Sequence, residues 1–298
     1  MRQPSPGDVR AAVETAVDSL KENTNNAEIA FFGGSFTAID REYMISLLEA
    51  TRPYIGRFKG IRISTRPDAI DDGILDLLAL YHVTAIELGA QSMSDEVLIM
   101  NDRGHTAEDV RAASRLIKSR GFELGLQMMT GLYGSSDDSD TLTAREFIAL
   151  GPATVRIYPT IVMRNTRLGE LYLSGEYQPQ TLDCAVKLCA RLLTIFQRAG
   201  ISVIRVGLHS TPTLERDMLA GPYHPAFREL CESRIMLSRL EELLSGLPAG
   251  QYRAAIAPRS RSKLSGNRRA NLIALSERGY TLQIIEDDSL DPLEVVLV

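Results

Sequence analysis

Glycine and small polar residues follow the first short apolar run of the sequence, and such residues can hold a ligand. Residues 28–32 form this run, which is followed by Gly33, Gly34, Ser35, Phe36 and Thr37. Two adjacent glycines let a ligand approach the backbone, because no Cβ obstructs its exposed N–H and C=O groups. A glycine pair after a strand also makes an ordinary turn. The segment 33–37 is therefore a candidate binding loop, with a plain turn as the alternative.

Hydroxyl and amide side chains follow the later apolar runs. Ser64 and Thr65 end the second run, where short hydroxyls suit a sugar; the alternative is that this segment only begins a helix near Pro67. Gln91 follows the third run, and packing gives no reason for an amide there. Gln127 lies inside the fourth run, where an unpaired amide would cost stability. We expect these side chains to form a polar ring at one edge of a sheet.

Four more polar residues lie in or beside the fifth and sixth runs, namely Arg156, Tyr158, Arg205 and His209. A buried arginine is rare unless it is paired, which makes Arg156 and Arg205 candidates for a functional contact. A lone histidine is more often a structural residue than a ligand, so His209 keeps that alternative.

Several common catalytic patterns do not occur in the sequence. No HExxH or similar metal spacing is found among His82, His105, His209 and His224. There is no P-loop, no dinucleotide fingerprint and no visible serine or cysteine triad. These observations argue against zinc peptidases, P-loop enzymes and dinucleotide-binding enzymes.

The composition is that of an ordinary soluble protein. Of the 298 residues, 44% are hydrophobic and 24% are charged, and the net charge is −5. No run of about 18 apolar residues and no secretory apolar region occurs, so we expect neither a membrane span nor secretion. Three cysteines without regular spacing favour a reducing compartment, and we expect a cytoplasmic location. We interpret all three cysteines as buried packing residues.

One stretch is strongly basic although the whole chain is acidic. Its cations are Arg253, Arg259, Arg261, Lys263, Arg268 and Arg269. A solvated loop and helix start is the simpler interpretation. The alternative is a contact patch for an anionic partner such as RNA.

Strand-like and helix-like segments alternate along most of the chain. Strands are expected at 28–32, 61–64, 85–88, 124–129, 154–158 and 202–206, and helices at 71–81, 107–120, 139–149 and 182–199. Because the strand runs are mostly apolar throughout, we expect an α/β fold with a buried parallel sheet. Polar residues after nearly every strand favour a partial (β/α) barrel of the TIM type over an open doubly wound sheet. We expect this barrel at 1–220 and a small α+β module at 221–298.

Seven ordered segments resemble those of radical S-adenosylmethionine (SAM) enzymes, in particular the Elongator catalytic subunit and its bacterial relatives. Ala30–Thr37 resembles the GGE-type motif, and Arg62–Asp68 resembles the "TRPD" segment. The other segments are Glu87–Ser92 with Asp95–Leu98, Asn101–Thr106, Gln127–Leu132, Arg156–Pro159 with Ser174–Tyr177, and Gly221–Phe227. Each motif alone is weak, but seven in the family's order are specific, and together they span most of the chain.

The resemblance implies a cofactor and a division of roles among the candidate residues. SAM would be cleaved at a 4Fe-4S cluster, with an electron donor, to a 5′-deoxyadenosyl radical that takes hydrogen from a substrate, as in tRNA modification. Gly33, Gly34 and Ser35 would hold methionine, with Phe36 and Thr37 in the same motif. Ser64, Thr65 and Gln91 would hold ribose or carboxylate, and Gln127 and Met129 would face adenine. Arg156, Tyr158, Arg205 and His209 would face the substrate.

Two departures from the family pattern stand beside the resemblance. The family's CxxxCxxC motif precedes the segment that resembles Ala30–Thr37, whereas the first cysteine here is Cys184. Cys184 and Cys189 lie about 140° apart around a helix and do not converge on a cluster. We therefore expect the chain to lack the barrel's first strand and cluster loop, and to be inactive as given. The acetyltransferase domain of the Elongator subunit has no counterpart either.

Two alternative functions stay open. Without cluster ligands, the chain would be a non-catalytic barrel that binds SAM, RNA or a protein. Within the radical SAM class, an enzyme similar to oxygen-independent coproporphyrinogen oxidase is the other alternative, because such enzymes share the same core.

Overall fold

A computed structural model describes residues 3–298 of the protein. Its α-helices are α1 Pro6–Leu20, α2 Arg41–Glu49, α3 Asp72–Leu80, α4 Asp95–Met100, α5 Ala107–Ser119, α6 Asp137–Leu150, α7 Arg167–Leu173, α8 Leu182–Arg198, α9 Pro212–Asp217, α10 Phe227–Leu244, α11 Arg261–Ser265 and α12 Ala270–Glu277. Its strands are β1 Glu28–Phe31, β2 Gly60–Thr65, β3 Val83–Gln91, β4 Glu123–Thr130, β5 Thr154–Pro159, β6 Val162–Met163, β7 Ser202–Val206, β8 Met218–Ala220, β9 Gly250–Ile256, β10 Tyr280–Glu286 and β11 Val295–Leu297.

The main sheet has six strands in the order β1-β2-β3-β4-β5-β7. The pairs β1–β2, β2–β3 and β3–β4 are parallel. The strand order follows the chain without the reversal that defines a doubly wound sheet. The fold is therefore the expected α/β partial barrel of the TIM type, and the open doubly wound alternative is excluded.

Contacts divide the chain into two compact units. The first contains the residues up to Arg156 and Ile201–Ile204, and the second contains Ile157–Gly200 and Arg205–Val298. This division differs from the expected boundary after residue 220, which stays a prediction about family modules. The two units are described separately below.

The strands of the first unit carry apolar side chains on one face and polar side chains on the other. On β2, Ile61 and Ile63 are buried and alternate with Arg62 and Ser64. On β4, the buried leucines alternate with half-buried positions such as Gln127. The expectation of strands that are apolar throughout was wrong for β4 and β5, because a partial barrel leaves its inner face accessible.

The second unit contains a separate three-stranded sheet with the order β10-β9-β11. β9 is parallel to β10 and antiparallel to β11. Helices α10, α11 and α12 supply Leu240, Leu264 and Leu275 to the core of this small α+β module, where they meet Ile256 of β9. β6 and β8 form a two-stranded antiparallel pair.

No helix within residues 3–298 is both long and apolar enough to cross a membrane.

Helix α5 begins with a reciprocal capping interaction. The Thr106 hydroxyl accepts a hydrogen bond from the Asp109 backbone N–H at 3.2 Å, and the Asp109 carboxylate accepts one from the Thr106 backbone N–H at 2.7 Å. Hydrogen bonds from the Thr106 backbone and hydroxyl lower the pKa of Asp109. The folded state therefore favours the charged form of Asp109.

We predict that Asp109→Asn lowers the free energy of unfolding at pH 7 and removes part of its acid dependence. A lowered folded-state pKa gives stability above the ordinary Asp value of about 3.9 and loses it as the pH falls further. The free energies of unfolding of the native protein and D109N, measured by urea titration, should therefore become equal as the pH falls toward about 2. Asp138→Asn in the exposed first turn of α6 is the control. If the free energy of unfolding of the native protein and that of D109N changed in parallel with pH, the prediction would be contradicted.

Candidate functional site

The carboxylate of Glu87 lies at the centre of the polar face of the first unit. Its side chain is 1% exposed and accepts two hydrogen bonds from Arg156, at 2.7 and 3.0 Å. The cation of Arg62 lies 3.6 Å away on the neighbouring strand β2. A buried carboxylate is stable only when it is paired, and Glu87 has a guanidinium on each side.

Arg62 joins three strands through carboxylates. It contacts Glu28 of β1 at 2.7 Å and Glu123 of β4 at 2.6 Å, in addition to Glu87 of β3. Burial alone would lower the pKa of Arg62, but the hydrogen bonds to Glu28 and Glu123 outweigh burial and raise it. Arg62 is therefore a permanent cation in the middle of the sheet.

Two of the expected site residues contact this charged group. The Gln127 amide donates to Glu87 at 2.8 Å and to Ser64 at 3.2 Å. Gly125 makes room for this arrangement, because a Cβ there would lie 2.6 Å from the Glu87 side chain. Ser64 and Gln127 thus lie together, and the half-buried Met129 lies two residues beyond Gln127 on the same strand.

The loop after β1 opens beside Arg156. The Phe32 ring lies over the Arg156 guanidinium, 4.7 Å from its centroid, and is 47% exposed. Gly33 has a φ of +107°, and a Cβ at Gly33 or Gly34 would meet no atom within 4 Å. The backbone at Gly33 and Gly34 is therefore accessible to a ligand, and Ser35 behind it is half-buried.

Thr37 and Thr65 fix this loop to the end of β2. The two hydroxyl oxygens are 2.6 Å apart, and Thr37 also donates to the carbonyl oxygen of Ala69 at 2.6 Å. Since Thr37 has one hydrogen to give, the Thr65 hydroxyl donates to Thr37. Phe36 is buried and stacks on Phe31 at 4.6 Å. These residues hold the glycine loop in place, and their expected cofactor role stays a prediction.

Gln91 has an unusual backbone conformation at the end of β3. Its φ is +65°, in the left-handed region that only glycine adopts freely. Its amide nitrogen would lie 2.8 Å from a Cβ at Gly89, so Gly89 allows the side chain to fold back. Strain of this kind costs about 1–3 kcal/mol and is concentrated at functional sites.

The sequence interpretation missed an unpaired cation, Arg103, between the ends of β2 and β3. No acceptor within residues 3–298 bonds to its Nε, which is buried, and no carboxylate in that range forms an ion pair with it. Burial, and then the charge of Arg66, lower the pKa of Arg103. Arg66 donates to the Arg103 carbonyl oxygen at 3.5 Å and pairs with Asp68. A half-buried cation with an unbonded Nε beside a second cation favours the binding of an anion.

His105 fixes the Arg103 segment to β3. Its Nε2 lies 3.0 Å from the carbonyl oxygen of Ala90, which can only accept, so Nε2 carries the proton. Gly104 lies under Arg66, because a Cβ there would approach the Arg66 guanidinium to 2.9 Å. The backbone of the Arg103 segment is therefore fixed to the ends of both β2 and β3.

Arg156 belongs to the first unit, and the other three substrate-facing candidates belong to the second. Tyr158 is half-buried, and His209 is exposed. Arg205 is half-buried, and its Nε donates to the Gly207 carbonyl oxygen at 3.4 Å. The substrate-facing role of all four stays a prediction.

The six basic residues of the second unit lie on one strand–helix–helix segment. Arg253 is exposed on β9, and the others follow this strand. Lys263 pairs with Glu232 at 2.9 Å. The exposed cations after β9 are Arg259, Arg261, Arg268 and Arg269.

The cysteines do not fit an iron–sulfur cluster. The expectation that all three are buried was wrong for Cys184, which is exposed because it lies in the first turn of α8. A hydrogen bond with Cys189, together with burial, raises the pKa of Cys231, so this residue is a thiol and not the thiolate that iron requires. Among residues 3–298, no three His, Cys, Asp or Glu side chains are grouped to hold a metal ion.

Two family models match the chain. The model of the radical SAM superfamily matches residues 5–147, and that of the radical SAM C-terminal domain matches residues 152–236. The chain belongs to the radical SAM superfamily.

Similar proteins come from archaea and eukaryotes. A tRNA uridine(34) acetyltransferase of Methanocaldococcus jannaschii is 29% identical over 204 residues, which are 61% of this chain and 38% of the relative. Elongator complex protein 3 of Schizosaccharomyces pombe is 30% identical over 180 residues, 59% of this chain and 33% of the relative. The chain thus spans little more than a third of the length of these relatives.

A solved structure is similar as well. Archaeal Elp3 of Methanocaldococcus infernus, with an N-terminal deletion, superimposes with a TM-score of 0.69 at 25% sequence identity. The match covers 80% of this chain and 62% of that one.

We predict that Glu87→Gln lowers the free energy of unfolding by about 3–5 kcal/mol, because it leaves Arg62 and Arg156 buried without their shared carboxylate. Urea titration at pH 7 measures the change. The control is Glu146→Gln, which removes a partner of Arg111 where both side chains are 33% exposed, and should cost at most about 1 kcal/mol. Equal losses of unfolding free energy in the two variants would show that the buried pairing of Glu87 is not central to the stability of the first unit.

Proposed function

We propose that the polar face of the first unit binds SAM and that the chain is the body of a radical SAM enzyme related to tRNA-modifying proteins. The observation that carries this proposal is Arg103, a half-buried cation at the carboxyl edge of the strands whose buried Nε has no hydrogen-bond partner within residues 3–298. The SAM carboxylate is an anion that can pair with the guanidinium of Arg103. Superfamily membership supports the choice of SAM over other carboxylates.

The other contacts follow from the position of the carboxylate. The open backbone at Gly33 and Gly34 would accept the methionine amino group, with Ser35 beside it. Ser64, Thr65 and Gln91 would bind the ribose, and Gln127 and Met129 would face the adenine. Phe36 and Thr37 would hold the glycine loop. Arg156 would fix Glu87 and the Phe32 ring, and Tyr158, Arg205 and His209 would face the substrate.

Bound SAM supplies hydrogen abstraction in the radical SAM superfamily, and this requires an iron–sulfur cluster with three thiolates. The cysteines of this chain do not fit that cluster, so we assign its residues the tasks of binding SAM, orienting it and excluding water. RNA is the proposed partner, since the similar proteins include a tRNA uridine acetyltransferase. Arg253, Arg259, Arg261, Lys263, Arg268 and Arg269 would contact it. We also propose that the protein is located in the cytoplasm and receives electrons from a separate donor.

The second candidate function is binding without radical chemistry, and the arrangement of Cys184, Cys189 and Cys231 favours it. Anaerobic treatment of the full chain with iron and sulfide decides between the two, read by visible absorption and, after reduction with dithionite, by electron paramagnetic resonance. Protein that gains no cluster signal supports binding alone for this chain. A stable 4Fe-4S signal would show that our interpretation of the cysteines is wrong.

We predict that Arg103→Met weakens SAM binding at least about tenfold in isothermal titration calorimetry, because a hydrogen bond to a charged group contributes about 1.5–3 kcal/mol. The same variant should unfold at an equal or higher urea concentration, because it removes a half-buried cation whose Nε has no hydrogen-bond partner within residues 3–298. Arg115→Met, at a side chain that is 64% exposed, is the control. Unchanged affinity in R103M, or an equal loss in R115M, would refute the proposed carboxylate site.

A further inference from the structure

The segment from β9 to β10 lies beyond residue 236, where the match to the family models ends. Its order is strand, helix, short loop, helix, strand: β9, α11, the loop Gly266–Arg269, α12 and β10. The two strands are parallel and adjacent. The loop therefore joins two helices that lie between paired strands, and we call it the 266–269 loop.

The 266–269 loop is held in one conformation by a buried amide. Asn271 is 5% exposed and donates to the carbonyl oxygens of Ser233 and Leu264, each at 3.0 Å. Gly266 has a φ of +77°, and a Cβ there would lie 2.9 Å from the Asn271 backbone nitrogen. Only glycine fits this position, because any side chain would displace the amide that fixes α10, α11 and α12 together.

The tip of the loop presents cations to solvent. Asn267, Arg268 and Arg269 are exposed, whereas Gly266 before them is buried. Within residues 3–298, no carboxylate forms an ion pair with Arg268 or Arg269. Lys263 nearby is neutralised by Glu232. The free positive charge of this region is therefore concentrated at Arg268 and Arg269, with Arg261 and Arg259 on the approach from β9.

A cavity of about 370 Å³ adjoins the loop. Its lining includes His224, Glu229, Ser262, Lys263, Gly266 and Arg268. Apart from the carboxylate of Glu229, the polar side chains of the lining carry hydroxyl, amide, imidazole and cationic groups, and these suit a sugar-phosphate unit. The volume lies at the lower end of the range of about 300–1,000 Å³ for small-molecule pockets. It is thus a space for one nucleotide and not for a flat protein interface.

We propose that the 266–269 loop and this cavity clamp the backbone of a single-stranded RNA. K-homology modules bind four nucleotides with a Gly-x-x-Gly loop between two helices. Here Arg269 stands at the fourth position, with a φ of +64° in the left-handed region that glycine adopts. The loop thus has a residue of left-handed conformation at the position of the second glycine, and this residue adds a cation for phosphate.

Single-stranded RNA fits this surface better than a duplex. Double-stranded RNA is recognised across two minor grooves over about 16 base pairs, a span that one four-residue loop does not cover. Because the whole chain has a net charge of −5, non-specific attraction of a duplex to the rest of the surface is weak. The proposal rests on the RNA partner proposed above, but it uses no residue of the SAM site.

Fluorescence anisotropy with a short labelled single-stranded RNA of mixed sequence tests the clamp in the full chain. The variant is N267D/R268D, and aspartate tolerates the left-handed backbone at 268. The matched control is Q197D/R198D at exposed positions at the end of α8, outside the proposed RNA contact. Both pairs change the net charge equally, since each replaces one amide and one arginine. We expect N267D/R268D to lose about tenfold in RNA affinity and its affinity to depend less steeply on salt concentration. The control should lose less than about twofold in RNA affinity.

Three results would overturn the clamp: equal losses in the two double variants, tighter binding of the duplex form of the same RNA, or no binding by the native chain. Circular dichroism melting confirms that the variants fold. If N267D/R268D does not fold, Arg268→Gln carries the test, with Arg198→Gln as its control. SAM titration of the same proteins separates the proposals, because SAM binding should be unchanged in every loop variant.

Discussion

The pairing of one buried carboxylate with two guanidinium groups determines how the strands of the first unit lie. Glu87 is nearly inaccessible, and Arg62 and Arg156 approach it from the strands beside and beyond its own. A shift of any of these strands by one residue would turn its charged side chain to the apolar face and leave charge without a partner. The ionic group therefore specifies register, a role that buried polar groups can have even where they add little stability.

The proposed SAM site depends on this arrangement. Gln127 is oriented by Glu87, and Arg156 supports the Phe32 ring next to the open glycines. The side chains of the proposed site are thereby positioned by bonds that do not involve a ligand. Such pre-organisation lowers the entropy lost on binding. Arg103 differs from the rest because, within residues 3–298, no carboxylate pairs with it and its buried Nε has no hydrogen-bond partner.

Strand–helix alternation was sufficient to predict the partial barrel and most element bounds within a few residues, because long apolar runs carry a strong periodic signal. Short elements were harder to predict. Helix α11, Arg261–Ser265, has no capping side chain, so nothing in the sequence marks its start. The pairing of Glu87 with Arg156 joins residues far apart in the chain and depends on register, which periodicity does not give. Arg103 was missed because its burial is a tertiary property.

The unsatisfied guanidinium of Arg103 also affects how long the folded chain survives. A site that binds an anion only in the native state stabilises that state by mass action, to an extent set by the ratio of ligand concentration to dissociation constant. Without ligand, the buried charge favours local opening of the 101–106 segment, and opened segments are where proteases cut. The abundance of such a protein in a cell would then follow the supply of the anion that it binds.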